Sequence, residues 1–265
     1  MKRVLIITYY WPPSGGSGVQ RWLKMSKYLP EYGWQPVIYT AENAEYPVED
    51  PSLEKDVTPE AEVIRRPIVE PYNFLGLKEK QKGWKGNLSV WVRGNLFIPD
   101  ARCCWVKSSV KFLTEYLKEH PVDAIISTGP PHSMHLIALK LKEKLNIPWI
   151  ADFRDPWTEI DYYDDLHLTK WADKKHHRLE REVLTKADKV VTVSSDGARR
   201  LGRIGNRNVR VFPDGFDSEN DMTASPQENS IDINSEKSPK TKNPEQLPWK
   251  VCTEKYGRLL DKINE

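Results

Sequence analysis

Short apolar runs punctuate this chain at residues 4–8, 37–40, 63–65, 124–127, 149–151, 190–193 and 209–212, each too brief for a helix and bounded by turn-forming residues. Between several of them the apolar positions recur at helical spacing, over 19–29, 107–119, 133–145 and 166–186 and in a short piece after Ser195. Such alternation predicts an α/β fold, a Rossmann-like parallel sheet with helices on both faces. The pattern breaks twice. Residues 41–102 turn to Pro, Gly and charge and read as an irregular excursion from the sheet, with Leu88, Val90, Trp91, Phe97 and Ile98 as one apolar patch. Past residue 217 the composition shifts to Ser, Asn, Glu, Lys and Pro, so 218–246 reads as a linker or flexible tail before a last amphipathic helix within 247–265.

Bulk properties narrow the classes of function. The 265 residues suffice for one large domain or two small ones, and 38% hydrophobic content with 10 Trp can fill a core. Forty basic and 38 acidic residues leave a net charge of +2, which gives no footprint for a polyanion, so nucleic acid is not an expected partner. No apolar run approaches ~20 residues, and Met1-Lys2-Arg3 leads straight into the first strand. Neither a membrane span nor a signal peptide is predicted, and a cytoplasmic chain is expected. Cys103, Cys104 and Cys252 have the spacing of neither a disulfide framework nor a metal site, so no metal is expected.

Candidate chemistry concentrates at the ends of predicted strands. Ser14, Gly15, Gly16, Ser17 and Gly18 follow the first run and precede a helix, the arrangement in which backbone N–H groups and the helix dipole can hold a phosphate. The same loop also fits a tight packing turn. Its spacing is not that of the dinucleotide fingerprint, and the second run ends in Tyr39-Thr40 without the acid that would bind a ribose, so a nicotinamide enzyme is a weak match. After 124–127 comes Ser127-Thr128-Gly129-Pro130-Pro131-His132-Ser133, where His132 could move a proton or merely pack, and Ser133 could cap the next helix. Directly after 149–151, Asp152, Arg154 and Asp155 converge beside Phe153 and Trp157, either to orient sugar hydroxyls or as an ion-paired turn. The run Lys174-Lys175-His176-His177-Arg178 reads as a solvated helix face, with an anionic lipid surface as the second alternative.

Taken together, Pro12 through Trp22, Phe97-Ile98-Pro99-Asp100-Ala101-Arg102, the His132 and Asp152 clusters, and Pro213-Asp214-Gly215-Phe216-Asp217 resemble the amino-terminal half of glycosyltransferase family 4, a GT-B fold, in a bacterial subgroup. The resemblance implies retaining transfer of a sugar from a nucleotide-sugar donor to a glycan or lipid-linked acceptor, with no cofactor beyond that co-substrate. It implies an acceptor bound mainly by this half and a donor bound mainly by a second domain. It places Ser14 to Gly18 beside the donor phosphates and the acceptor, His132 and Asp152 as catalytic residues lining the cleft, and Arg21, Arg154, Asp155 and Trp157 around the acceptor sugar. Asp152 and His132, as strand-end groups, are expected to be dispensable for packing.

Two departures from the family pattern stand out. Asp214 replaces the usual Asn, and most of a second domain is missing, with 247–265 as its remnant, or else as a final helix crossing back onto the first domain. Weak activity or none is expected of the chain alone. The alternative is a non-catalytic carbohydrate- or lipid-acceptor-binding domain, or the partner of a separate donor-binding chain. Around the basic stretch 78–85, Trp84, Leu88, Trp91 and Phe97 either make a peripheral contact with the inner face of a membrane, or Trp91 and Phe97 pack under the excursion and the lysines are solvated.

Overall fold

The computed structural model describes residues 1–68, 84–216 and 247–263, with side chains left out over 84–89. Seven strands form one parallel sheet: β1 (Lys2–Ile7), β2 (Trp34–Glu42), β3 (Glu62–Pro67), β4 (Ala124–Gly129), β5 (Trp149–Phe153), β6 (Lys189–Thr192) and β7 (Arg210–Val211). Their order across the sheet is β3-β2-β1-β4-β5-β6-β7. The direction of winding therefore reverses between β1 and β4, which register Val4 against Ala124 and Ile7 against Ser127. At such a reversal a crevice opens outside the carboxyl ends of the strands.

The apolar strand runs are explained by burial on both faces. Along β1, Val4 and Ile6 join the core on one face while Leu5 and Ile7 join the other, and all four are fully buried. One face is covered by α3 (Cys103–Glu119), α4 (Ser133–Leu145), α5 (Lys170–Lys186) and α6 (Ser195–Gly205) through residues such as Leu113, Ile137, Leu184 and Leu201. The other is covered by α1 (Ser17–Tyr28) and α7 (Trp249–Asp261) through Trp22, Leu23, Tyr256 and Leu260.

One expectation is corrected here. The excursion 41–102 is not irregular throughout: β2 runs to Glu42, β3 pairs with it from Val37↔Glu62 to Glu42↔Pro67, and α2 spans Trp84–Leu96. The last helix packs against the first domain. Tyr256 packs edge-on against Trp22 at 5.3 Å, Asp261 accepts from Lys2 and from Trp34 Nε1, and Phe216 pairs with Pro248. The segment 218–246 lies outside the described residues. Among the described residues, no helix is long and apolar enough to cross a membrane.

Candidate active site

The loop after β1 is held by backbone pairing. Ser14 bridges Glu49, the Gly15 N–H donates to the Val48 carbonyl at 2.9 Å, and Asp50 N–H donates to Pro13 O at 2.7 Å. Ser14 is buried by that pairing. A side chain at Gly15 would lie 3.1 Å from both Asp50 Cβ and Val48 Cγ1, so this glycine serves the approach of residues 48–50. Gly16 differs: its φ of 80° and ψ of −173° suit glycine alone, and a Cβ there would meet nothing within 4 Å. Gly16 and Ser17 are exposed, and no side chain caps α1 at this end. The positive end of α1 thus faces open space. Gly18 lies against the Tyr10 ring.

Behind this helix end is a buried ion pair. Arg21 donates through Nε to Asp152 Oδ2 at 3.0 Å and through Nη2 to Oδ1 at 3.1 Å, while Nη1 reaches Asp214 at 3.0 Å. Trp22 Nε1 and Thr128 Oγ1 also donate to Asp152 Oδ2, at 2.9 and 3.2 Å. Burial alone would pull the Arg21 guanidinium down; Asp152 and Asp214 outweigh it and hold the proton more firmly than usual. Both Arg21 and Asp152 are enclosed, so neither side chain faces the cleft in which the resemblance placed them. Arg154 does not pair with Asp152. Its Nη1 and Nη2 donate to the carbonyls of Gly18 and Ser17, each at 3.2 Å, and its head lies 3.9 Å from Asp214. A guanidinium thus stands beside the open end of α1. Asp155 is exposed and borders a polar hollow of about 270 Å³ with Thr192, Ser194 and Arg200.

The second cluster is aromatic. His132 stacks on Trp157 with ring centres 4.9 Å apart and planes 3° from parallel. Burial, then His135 and His176, push the His132 imidazole well below its usual value, so it is neutral near pH 7. Its Nδ1 is buried without a hydrogen-bond partner among the described residues. His135, also buried, is held by Ser127 Oγ at 2.8 Å. His132 and Trp157 form one wall of a cavity of about 290 Å³, completed by Pro99, Asp100, Ile160, Tyr162 and Tyr163.

Several supporting groups escaped the sequence reading. Ser133 does not cap α4 through its own side chain; Asp100 does so from another segment, accepting from Ser133 N at 2.9 Å and Oγ at 2.8 Å. His176, placed by its basic neighbours on a solvated face, is buried: it accepts from Trp157 Nε1 at 3.0 Å, and its Nε2 lies 3.2 Å from Gly94 O. Glu180 accepts from Trp157 N at 3.3 Å, from Thr158 N at 3.4 Å and from the Thr158 hydroxyl, while burial raises its pKa. The signal for both was spacing, since 172, 176, 180 and 183 fall on one helical face.

The sequence profile of the glycosyl transferase 4-like domain matches residues 15–215. The chain belongs to this family. The matched residues take in both clusters, so the candidate site lies within the matched domain. Among solved structures, a sucrose-phosphate synthase piece from Thermosynechococcus elongatus, designated 27_220_406_426, matches at 12% identity with a TM-score of 0.52, covering 100% of both chains. The sucrose-phosphate synthase of the same organism matches at 14% identity and a TM-score of 0.51 over 82% of this chain and 49% of its own. UGT2 from Phytolacca americana, complexed with UDP-2fluoro-glucose and pterostilbene, matches at 11% and 0.50 over 83% and 56%. These likenesses show the fold, and the transferase domain spans about half the length of the two larger chains. No curated protein matches.

Proposed function

We propose that this chain is the acceptor-side half of a retaining glycosyltransferase, taking a sugar from a nucleotide-sugar held chiefly by a second domain across the strand ends. The observation that carries the reading is that one short loop after β5 joins two complementary surfaces. Arg154 stands at the open, uncapped end of α1, and three residues on Trp157 walls the aromatic cavity. The first surface suits a departing nucleotide phosphate, where preorganised positive charge is most effective. The second offers flat apolar rings with a few polar groups, the character of a small-ligand site that can receive a sugar. The nucleotide-sugar in the UGT2 complex supports the donor class.

The residue roles differ in kind within this reading. Asp152 and Arg21 position α1 against β5 and Asp214. His132, neutral and stacked on Trp157, contributes its ring to the cavity wall; Arg154 faces the phosphates. The packing of α7 on α1, and the end-to-end match to the synthase piece designated 27_220_406_426, support reading α7 as a helix that crosses back from a second domain. The test is a panel of nucleotide-sugars and acceptors given to the chain alone and to a version joined to a donor-binding domain of the family. Transfer is expected only when the halves are joined, because half a cleft neither positions both substrates nor excludes water. Ordinary turnover by the chain alone would overturn the half-site reading.

A further inference from the structure

Helix α5 has two unlike faces. Its inner face carries Ala172, His176, Glu180, Val183 and Leu184 into the protein, and through His176 and Glu180 it fastens the loop that bears Trp157. Its outer face carries Trp171, Lys174, Arg178 and Arg181, exposed at helical spacing, with Lys175 lying 4.8 Å over the Trp171 ring. Trp171 is 61% exposed, a large ring left in solvent although the sheet faces bury most of their apolar side chains. Of the acids on α5, Glu180 is buried on the loop and Glu182 pairs with Lys186 at 3.2 Å, while Asp173 accepts from the Tyr163 hydroxyl and borders the same hollow as Lys174, Arg178 and Arg181.

Helix α2 packs beside the start of α5. Asn95 accepts from Thr169 N at 2.6 Å, and its Nδ2 donates to His167 O at 3.4 Å, so the end of α2 rests on the start of α5. There Leu96 is 62% exposed and Trp91 39%. Arg93 and Gly94 of the same turn and His176 of α5 also border the aromatic cavity. Exposed rings and an aliphatic group thus lie near the cations of α5 and the mouth of the candidate site, with the exposed Asp164 and Asp165 in the turn before α5.

We infer that Trp171, Trp91 and Leu96, with the cations of the outer face of α5, form a docking surface for an anionic lipid bilayer. Charge complementarity selects this occupant: the cations attract anionic headgroups, and tryptophan settles at headgroup level with an aliphatic side chain just below. Of the residues behind the sequence-level membrane expectation, the stretch 78–85 with Trp84, and Leu88, lie outside the described side chains, and Trp91 is shared with the surface inferred here. That docking would present the cavity to a lipid-linked acceptor rests on the transfer reading above; the docking itself does not.

The test is co-sedimentation of the whole chain with vesicles of phosphatidylcholine alone and of phosphatidylcholine mixed with phosphatidylglycerol. Binding is expected only with phosphatidylglycerol and should weaken as salt is raised. The triple variant Lys174→Glu, Arg178→Glu, Arg181→Glu should lose binding by about tenfold or more, and Trp171→Ser should weaken it while circular dichroism stays unchanged. No binding at low salt, equal binding to both vesicles, or undiminished binding of the triple variant would overturn the inference. So would tight binding to heparin or duplex DNA without vesicle recruitment. The readout needs neither donor nor acceptor, so its failure is separable from failure of the transferase reading.

Discussion

Arg21 and Asp152, 131 residues apart in sequence, meet through two parallel hydrogen bonds of 3.0 and 3.1 Å in the interior. The pair fastens α1, whose first turn is the open helix end, to the end of β5. Removing one partner strands the other's charge away from water. Asp152→Asn is therefore expected to cost about 3–5 kcal/mol of stability, since breaking a buried pair is far costlier than breaking a surface one. A clear fall in melting temperature by circular dichroism checks it. This replaces the sequence-level expectation that Asp152 is dispensable for packing; an unchanged melting temperature would restore it.

His132 can be separated into its ring and its nitrogen. His132→Phe keeps a flat ring against Trp157, so the variant should fold with a melting temperature close to the parent's, whereas His132→Ala leaves a hole there and should lower it. If the imidazole edge contacts the reacting sugars, both variants should depress transfer by about tenfold or more when joined to a donor-binding domain. Undiminished transfer by the Phe variant would assign His132 to packing alone.

The buried histidines set an acid limit. Burial lowers the pKa of His135 to about 3, while the same group in the unfolded chain stays near 6.5. Below 6.5 the unfolded state takes up a proton that the folded state refuses, so stability is lost progressively from pH 6.5 towards 3 and is retained above that window. Urea titrations at pH 7.5 and 5.5 should show His135→Gln losing less stability between them than the parent, by about 1.4 kcal/mol for the unit below 6.5. Equal losses would contradict the assignment.

Tyr256 offers an expected gain. Its ring packs on Trp22, but its hydroxyl is buried without a hydrogen-bond partner among the described residues. Tyr256→Phe should leave stability unchanged or raise it by about 1 kcal/mol, as removing an unsatisfied polar atom relieves its desolvation. Denaturant midpoints decide the sign.

Gly16→Ala tests the open helix end. Nothing would collide with the new methyl group, so the cost is conformational, about 1–3 kcal/mol for a non-glycine residue at this φ and ψ. A fall in the urea midpoint checks it.

The sheet was legible because β1, β4 and β5 are buried on both faces and their apolar runs are unbroken. The edges were less so. The last three residues of β3 are exposed, and β7 contributes only Arg210 and Val211, so the runs at 63–65 and 209–212 marked these edges without fixing their bounds. The clusters containing His132 and Asp152 were visible as chemistry at strand ends, but their partners were not. Asp152 looked paired with its neighbour Arg154, whereas the fold brings Arg21 to it and sends Arg154 to the start of α1. His176 and Glu180 are polar residues on a buried face, so hydrophobic periodicity missed them; their partners lie in another loop.

The bridge between Phe216 and Pro248 carries a further meaning. Phe216 N–H donates to Leu247 O at 3.1 Å, and Trp249 N–H donates to Phe216 O at 3.2 Å, so the chain re-enters the fold at the point where it left. Any segment joining the two is tethered at adjacent points, and for a flexible loop so tethered a doubling of length costs only about 0.6 kcal/mol in closure entropy. The junction therefore behaves as a socket: sequence of very different lengths can be grafted between 216 and 247 while α7 keeps its seat on α1.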